Sequence, residues 1–179
     1  VRGLYRLRKS SSKAKLRVQL LGAGSILREA EAAAEILEKD FKVAADVWSM
    51  PSVNELARDG RAVSRWNLLH PEESPRVPFV TQQLDASKGP IVAATDYIKS
   101  YAEQLREFMP RSYTVLGTDG FGRSDTRRNL RLHFEVSREY IVLAALKSLA
   151  DEGEMPASKV AEARDQLGIS ADKPNPLLA

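Results

Sequence analysis

The sequence has 179 residues, of which 43% are hydrophobic and 28% are charged, proportions that are typical of a folded globular domain. A chain of this length can bury about 70% of the surface that it exposes when unfolded, so it needs no disulfide or structural metal, and it contains no cysteine. Length and composition therefore exclude a disordered tail, a collagen-like fibre, a disulfide miniprotein and thiolate chemistry. The sequence contains no run of 18 apolar residues, so no membrane span is predicted. The absence of cysteine and of a signal-like segment favours a cytoplasmic protein.

The positive charge is concentrated at one end of the sequence. The net charge is +3, but residues 1–17 hold seven basic side chains and no acid, which leaves a net charge of −4 on the remainder. The seven are Arg2, Arg6, Arg8, Lys9, Lys13, Lys15 and Arg17. We interpret Ser10–Ser12 as the solvated loop of a hairpin between two strands. Because Tyr5 is the only aromatic residue nearby, and nucleic-acid surfaces of this kind need several, neither nucleic acid nor a membrane is predicted as a partner.

The first part of the sequence predicts a βαβ unit. Gly3–Leu7 alternates apolar and polar residues, as an edge strand does, and the denser Leu16–Leu21 is typical of a central strand. The turn Gly22–Ser25 leads into a helix, and a second strand follows at Phe41–Ser49. The helix is expected to bury one apolar face, formed by Ile26, Ala30, Ala33 and Leu37. Its outer surface is expected to carry Glu29, Glu31, Glu35, Glu38 and Lys39.

The remaining elements continue the alternation of helices and strands. Ser52 and Glu55 match a capping box, and the helix that they begin is expected to break or bend at Gly60. An irregular, proline-rich stretch covers residues 70–78. The elements predicted after it are a short segment at Val80–Leu84, strands at Ile91–Ala94 and Tyr113–Leu116, and helices near residues 126–134, 137–151 and 157–167. A helix is also predicted at Tyr97–Phe108, capped by Thr95 or Asp96, with a buried face of Ile98, Tyr101, Ala102, Leu105 and Phe108.

Strands separated by helices predict an α/β fold of three layers. The sheet is expected to be mainly parallel, with helices on both faces, and the crossover of the first unit to be right-handed. The first hairpin is expected to add an antiparallel edge strand. No repeat or composition break divides the sequence, so residues 1–179 are predicted to form a single domain.

Two glycines follow the predicted central strand, as in the dinucleotide-binding fingerprint. Gly22 and Gly24 permit a tight turn and the close approach of a phosphate to a helix N-terminus. Leu27 stands where the third glycine belongs, and Asp46 and Ser49 are imperfect candidates for the ribose-binding acid. A plain strand-to-helix turn is therefore the preferred interpretation, with nucleotide binding as the alternative.

A polar, glycine-rich loop follows the last predicted strand, where parallel sheets commonly present ligands. It runs from Gly117 to Asp125. Its candidate site residues are Asp119, Phe121, Arg123, Ser124 and Asp125. We interpret the loop as part of a substrate entrance, although Ser124 or Asp125 can equally cap the next helix.

The sequence offers no complete catalytic or metal-binding set. Its two histidines are His70 and His133, and neither has a carboxylate at ligand spacing. No Gly-x-Ser-x-Gly elbow and no phosphate-binding P-loop is present. We therefore predict that this chain holds no catalytic, cofactor-binding or metal-binding residue.

Several stretches of the sequence resemble a known family. They are residues 20–28, 47–49 with 54–60, 65–71, 94–97, 116–125 and 175–179. The first of them are similar to the C-terminal domain of transketolase-like thiamine diphosphate enzymes. Taken together, all of these stretches resemble the homodimeric bacterial pyruvate dehydrogenase decarboxylating component. The ten-residue loop 116–125 is the most specific of them. The resemblance runs along essentially the whole sequence.

The resemblance implies a place in a longer enzyme of three domains. In such enzymes thiamine diphosphate and magnesium lie between the first two domains, outside a segment like this one. Pyruvate loses carbon dioxide there, and its acetyl group passes to the lipoyl group of a dihydrolipoyl acetyltransferase partner. The resemblance also implies a homodimer, and it assigns no catalytic residue to this chain, which is expected to support the dimer and to form one wall of the substrate entrance.

Two further hypotheses remain open at this point. One is an independent nucleotide-binding domain that uses Gly22 and Gly24 to bind NAD or ADP. The other is a module that assembles the enzyme complex through the basic first hairpin, in which case its association with the acetyltransferase would be salt-sensitive.

Overall fold

A single five-stranded sheet lies at the centre of the molecule. The computed structural model describes residues 2–178. The strands are β1 (Tyr5–Arg8), β2 (Leu16–Gly22), β3 (Val43–Ser49), β4 (Ile91–Ala94) and β5 (Tyr113–Leu116). The helices are α1 (Leu27–Asp40), α2 (Val53–Leu69), α3 (Phe79–Asp85), α4 (Lys99–Glu103), α5 (Arg127–His133), α6 (Arg138–Asp151) and α7 (Ala157–Gln166). None of these helices is both long enough and apolar enough to cross a bilayer.

The strand pairing is mainly parallel, as predicted. The strands lie in the order β1-β3-β2-β4-β5. Strand β2 pairs in parallel with β3 and β4, and β4 pairs in parallel with β5, whereas β1 runs antiparallel to β3. One apolar core lies between the sheet and α1, α6 and α7, and a second lies between the sheet and α2, α3 and α4. The three-layer α/β fold with an antiparallel edge strand is therefore confirmed.

The predicted hairpin between the first two strands is wrong. Strand β1 pairs with β3 because β3 and β4 already occupy both edges of β2. The segment between the strands is only partly solvated, because Ser11 is exposed whereas Ser10 is 5% exposed and its backbone N–H donates to Asp46 Oδ1 at 2.8 Å. Arg17 Nη1 donates to the same oxygen at 2.7 Å, and Arg8 pairs with Glu38. Part of the basic segment is thus built into the fold.

The central strand β2 supplies side chains to both cores. Val18 and Leu20 belong to the core on the α1 side, and Leu21 belongs to the core on the α2 side. Each such side chain contributes about 1.5–3 kcal/mol when it is fully buried. The polar Gln19 is buried among them because its Oε1 accepts a hydrogen bond from Trp48 Nε1 at 2.8 Å.

Helix α1 and the turn before it bury the four apolar positions predicted for that face, Ile26, Ala30, Ala33 and Leu37. The prediction that Glu29 lies on the outer surface is wrong, because this residue is 4% exposed. Glu29 stands three positions after Ile26 and four before Ala33, which places it beside the apolar face of the helix. Its burial is possible because arginines from two other helices reach it, as described below.

Helix α2 begins at the predicted capping box, where Ser52 Oγ accepts a hydrogen bond from Glu55 N at 3.2 Å. Of the predicted break or bend at Gly60, the break is wrong, since the helix continues to Leu69. Gly60 instead provides space for packing, because a Cβ atom there would lie 2.5 Å from the ring of Phe108. A close approach between two elements explains this glycine.

We expect Gly60→Ala to lower the free energy of unfolding by about 2 kcal/mol, as overpacking of a core does. Helix propensity alone predicts the opposite, a gain of roughly 1 kcal/mol, so the sign separates the two effects in a urea denaturation experiment. In a Phe108→Leu background the same substitution is expected to be close to neutral. A stabilising Gly60→Ala in the parent protein would contradict the packing account.

The helix predicted from Tyr97 to Phe108 is shorter than expected. Tyr97 and Ile98 precede α4 and are 58% and 55% exposed, so the prediction that Ile98 lies on the buried face is wrong. The backbone here bonds to the following loop instead of to a helix turn, since Lys99 N donates to Asp119 Oδ1 at 2.8 Å. Ala102, Leu105 and Phe108 are buried as predicted, and Tyr101 is only partly buried against the same core.

Candidate functional site

A cleft opens at the edge of the sheet where β2, β4 and β5 end, and we call it the carboxyl-edge cleft. Its volume is about 340 Å³. The floor is apolar and consists of Ile26, Leu130, Phe134 and Val136. The rim is polar and includes Ser25, Asp96, Thr118, Arg123, Arg127 and Arg131. This is the edge at which parallel sheets bind their ligands.

The glycine turn after β2 is closed by a carboxylate. Gly24 has a φ of +56°, and a Cβ atom there would lie 2.8 Å from Asp96 Oδ1. Ser25 Oγ donates to Asp96 Oδ2 at 3.1 Å, which holds the carboxylate in place. A phosphate at this turn would therefore meet a like charge. The geometry opposes nucleotide binding at Gly22 and Gly24.

The residues considered for ribose recognition are also unsuitable. Asp46 lies within β3 and is 3% exposed. Its carboxylate accepts hydrogen bonds from Ser10 N, Arg17 Nη1 and Gln19 Nε2. Ser49 ends β3 and is also buried. The nucleotide-binding hypothesis thus lacks a residue that could bind the ribose.

The predicted entrance loop is fastened at its base and free at its tip. Asp119 accepts the backbone N–H of Lys99, so its carboxylate serves to hold the loop against the start of α4. Gly120 has a φ of +112°, and a Cβ atom there would lie 2.5 Å from the carbonyl oxygen of Pro176. Phe121 at the tip is 81% exposed. The loop thus presents an aromatic side chain to the outside from an anchored base.

A second opening, of about 320 Å³, adjoins the carboxyl-edge cleft. It is lined by Arg123, Ser124, Asp125, Asn129, Leu130 and His133. The backbone N–H of Thr126 and then the side-chain amide of Asn129 donate to Asp125 and lower the pKa of its carboxyl group. Thr126 is the N-cap of α5, so neither Ser124 nor Asp125 fills that position. The entrance role of the five loop residues stays a prediction.

The two histidines have different surroundings. Burial, followed by the charges of Arg123 and Lys173, lowers the pKa of His133. His70 Nδ1 donates to the carbonyl oxygen of Trp66 at 2.9 Å, and the two rings stack. Among residues 2–178, no three side chains of metal-ligand type converge on a point.

A buried carboxylate joins α1 to α5 and α6, and the sequence analysis missed it. Glu29 Oε1 accepts from Arg131 Nη1 at 2.7 Å, and Glu29 Oε2 accepts from Arg138 N and Nε, both at 3.0 Å. Burial raises the pKa of Glu29, but the hydrogen bonds and charges of Arg138 and Arg131 outweigh it and hold the pKa below the ordinary 4.5. The available signal was the position of Glu29 between Ile26 and Ala33. These bonds fix α5, and with it the end of the entrance loop, against α1.

Comparison with known proteins identifies the family of the chain. Residues 3–137 match the family described as the transketolase-like TK C-terminal domain. The match covers well over half of the chain. The chain therefore belongs to this family, and the resemblance noted from its motifs is confirmed.

Curated relatives match along nearly the whole chain. The pyruvate dehydrogenase E1 components of Cupriavidus necator and Pseudomonas aeruginosa are each 53% identical over 178 residues, and that of Escherichia coli K12 is 54% identical over 179. Each match covers 99% of this chain and 20% of the relative. The chain thus spans about one fifth of the length of these relatives. Their names agree with the narrower resemblance found in the sequence.

Solved structures support the fold. The transketolase of Pichia stipitis, in complex with sedoheptulose-7-phosphate, superposes with a TM-score of 0.56 at 20% identity and covers 85% of this chain and 18% of its own. The transketolase of Campylobacter jejuni gives 0.54 at 22% identity, with 82% and 18% covered. At these identities the likeness concerns the fold alone.

Proposed function

We propose that this chain is the C-terminal domain of a pyruvate dehydrogenase decarboxylating component. That enzyme removes carbon dioxide from pyruvate and transfers the acetyl group to the lipoyl group of a dihydrolipoyl acetyltransferase partner. The observation that carries the proposal is the identity of 53–54% to pyruvate dehydrogenase E1 components along 99% of this chain. A homodimer in the cytoplasm, expected from the resemblance and the cysteine-free composition, forms part of the proposal.

Thiamine diphosphate and Mg²⁺ are proposed to bind to that enzyme outside this segment. The glycine turn that would best suit a diphosphate carries the Asp96 carboxylate instead. Within residues 2–178 no cluster of three metal-ligand side chains forms. The residues of this chain therefore do not fit the cofactor, and the role proposed for the segment is to support the dimer and to shape access.

The access role rests on the exposed arginine of the entrance loop. Arg123 lines both the carboxyl-edge cleft and the opening beside it. The exposed ring of Phe121 stands two positions before it. A cation and an aromatic ring presented together at a loop tip are suited to contact a protein partner. We therefore assign this loop to the approach of the lipoyl-bearing partner rather than to the chemistry on pyruvate.

We expect Arg123→Ala in the whole enzyme to slow acetyl transfer to the lipoyl partner about tenfold, an ordinary effect for the loss of one contact at a protein interface. Pyruvate decarboxylation measured with a small artificial electron acceptor is expected to stay within about twofold of the parent rate, because no partner protein takes part. The two rates are measured on the same preparation.

The matched control is Arg164→Ala, which removes an arginine that pairs with Asp165 on α7. Both rates should then equal those of the parent enzyme. Equal losses in the two assays, or no loss in either, would remove the loop from partner recognition. Tight binding of thiamine diphosphate by this chain alone, with release of carbon dioxide from pyruvate, would overturn the whole proposal.

A further inference from the structure

Four arginines surround a cleft between α5 and the beginning of α6, and we call it the arginine cleft. Its volume is about 450 Å³. Its charged lining consists of Arg127, Arg128, Arg131, Arg138, Glu29 and Glu139. Four guanidinium groups against two carboxylates leave this lining with a net positive charge. A site with an excess of cations attracts an anion.

Two of the four arginines lack a counter-charge. The Glu29 carboxylate is shared by Arg131 and Arg138. No carboxylate of residues 2–178 forms an ion pair with Arg127 or Arg128, and both residues line the same cleft. Like charges gathered around one cleft repel one another. A bound anion would relieve that repulsion.

Ser137, whose hydroxyl group is unused, is one of the residues that line the arginine cleft. Ser137 is the N-cap of the 14-residue helix α6 and is 3% exposed. Its Oγ is buried and has no hydrogen-bond partner among the described residues, and it makes no capping bond. The caps of two other helices, Ser52 and Thr126, do accept such a bond. A buried hydroxyl without a partner at a helix N-terminus, where the backbone favours negative charge, indicates a missing acceptor.

The arginine cleft adjoins the carboxyl-edge cleft. Arg127 and Arg131 line both of them. The arginine cleft has a polar lining, whereas the floor of the carboxyl-edge cleft is apolar. A ligand with an anionic group and an apolar group could therefore occupy the two clefts at once.

We propose that the arginine cleft binds a phosphate group. Arg127 and Arg128 offer planar donor pairs that match phosphate oxygens, and Ser137 Oγ supplies a further donor at the helix N-terminus. A phosphate has enough acceptor oxygens for all three and carries up to two negative charges. An apolar substituent on the phosphate would lie over the floor of the carboxyl-edge cleft. The inference does not depend on catalysis, because binding is measured without turnover.

The test is a calorimetric titration of the whole enzyme with its thiamine diphosphate site saturated, so that the cofactor site takes up no probe. The probes are inorganic phosphate, phenyl phosphate and benzoate. We expect phenyl phosphate to bind about tenfold more tightly than inorganic phosphate, because its ring leaves water. We expect benzoate to bind at least about tenfold more weakly than phenyl phosphate, since it offers fewer acceptors and less charge. If the two phosphates bound with equal affinity, the phosphate site would still stand, but its apolar extension would be overturned. Equal affinities for benzoate and phenyl phosphate would overturn the site.

Substitutions test whether phenyl phosphate binds in the arginine cleft. Replacing Arg127 and Arg128 together by alanine is expected to weaken phenyl phosphate binding by at least about tenfold. Ser137→Ala is expected to weaken it about threefold without lowering the melting temperature, because the hydroxyl that it removes has no partner in the unliganded protein. Arg58→Ala, which removes an exposed arginine paired with Glu55 on α2, is the control and should bind as the parent does. The absence of binding, or binding that resists both arginine-cleft variants, would refute the proposal.

Discussion

Replacing Glu29 with alanine is expected to lower the free energy of unfolding by about 3 kcal/mol. Glu29 is buried and accepts hydrogen bonds from Arg131 and Arg138. Its loss leaves the guanidinium of Arg131, which is 20% exposed, without a counter-charge. The value lies at the lower end of the range for a broken buried pair because the Arg138 side chain is 45% exposed and can reach water. Urea denaturation monitored by circular dichroism measures the change.

The matched control is Glu162→Ala. Glu162 pairs with Lys159 on the surface of α7. A surface pair of this kind contributes at most about 1 kcal/mol, so the control should differ little from the parent protein. If the two alanine variants were equally stable, the buried pair would have no special role.

The same carboxylate gives stability a defined pH dependence. The folded-state pKa of Glu29 lies below the ordinary 4.5, so the unfolded chain binds the proton first as the pH falls. The contribution of Glu29 is therefore complete above the unfolded pKa and is lost as the pH falls through the lowered folded pKa. The Glu29→Ala variant is expected to show a flatter decline of stability in this acidic range.

Replacing Asp46 with alanine is expected to cost about 3 kcal/mol of unfolding free energy. The carboxylate holds the segment between β1 and β2 against β3, because it accepts from Ser10 N at 2.8 Å and from Arg17 Nη1 at 2.7 Å. Removing it leaves the buried backbone N–H of Ser10 without an acceptor and the largely buried guanidinium of Arg17 without a counter-charge, with only the carbonyl oxygen of Ser12 left to accept from it, at 3.3 Å. Gln19 Nε2 keeps its bond to the carbonyl oxygen of Lys88, so that group stays satisfied. Thermal and urea denaturation both report the loss.

Two variants test this account of Asp46. Asp151→Ala removes an exposed aspartate that pairs with Lys147 on α6 and is expected to change stability by less than about 1 kcal/mol. Asp46→Asn retains one acceptor oxygen and is expected to lie between the parent and the alanine variant. If Asp46→Ala were as stable as the Asp151 control, the segment would not depend on this carboxylate.

The order and type of the elements are predictable from local pattern. Strand β5 was expected at Tyr113–Leu116 and occupies those residues. The partner of β1 was not predictable in the same way, because the alternation in Gly3–Leu7 indicates an edge strand without saying which edge is free. Gly60 shows the same limit, since its effect depends on the distant ring of Phe108 and not on helix propensity.

The candidate site was likewise only partly predictable from local pattern. The entrance loop could be located because it follows a strand that ends at the ligand-binding edge of a parallel sheet. The roles of Asp119 and Asp125 within it could not, because each depends on a backbone or amide group that only the folded chain brings close. The arginine cleft was missed since α5 and α6 meet α1 through side chains that are far apart in the sequence.

The bonds between Glu29 and Arg138 join residues 109 positions apart. Closing a loop of that size costs chain entropy before any contact compensates for it, and contacts of such wide separation slow the search for the native topology. We expect these bonds to form after the transition state of folding. Interactions formed so late slow unfolding more than they speed folding. The carboxylate and its two arginines would then determine how long the native molecule persists once it has formed.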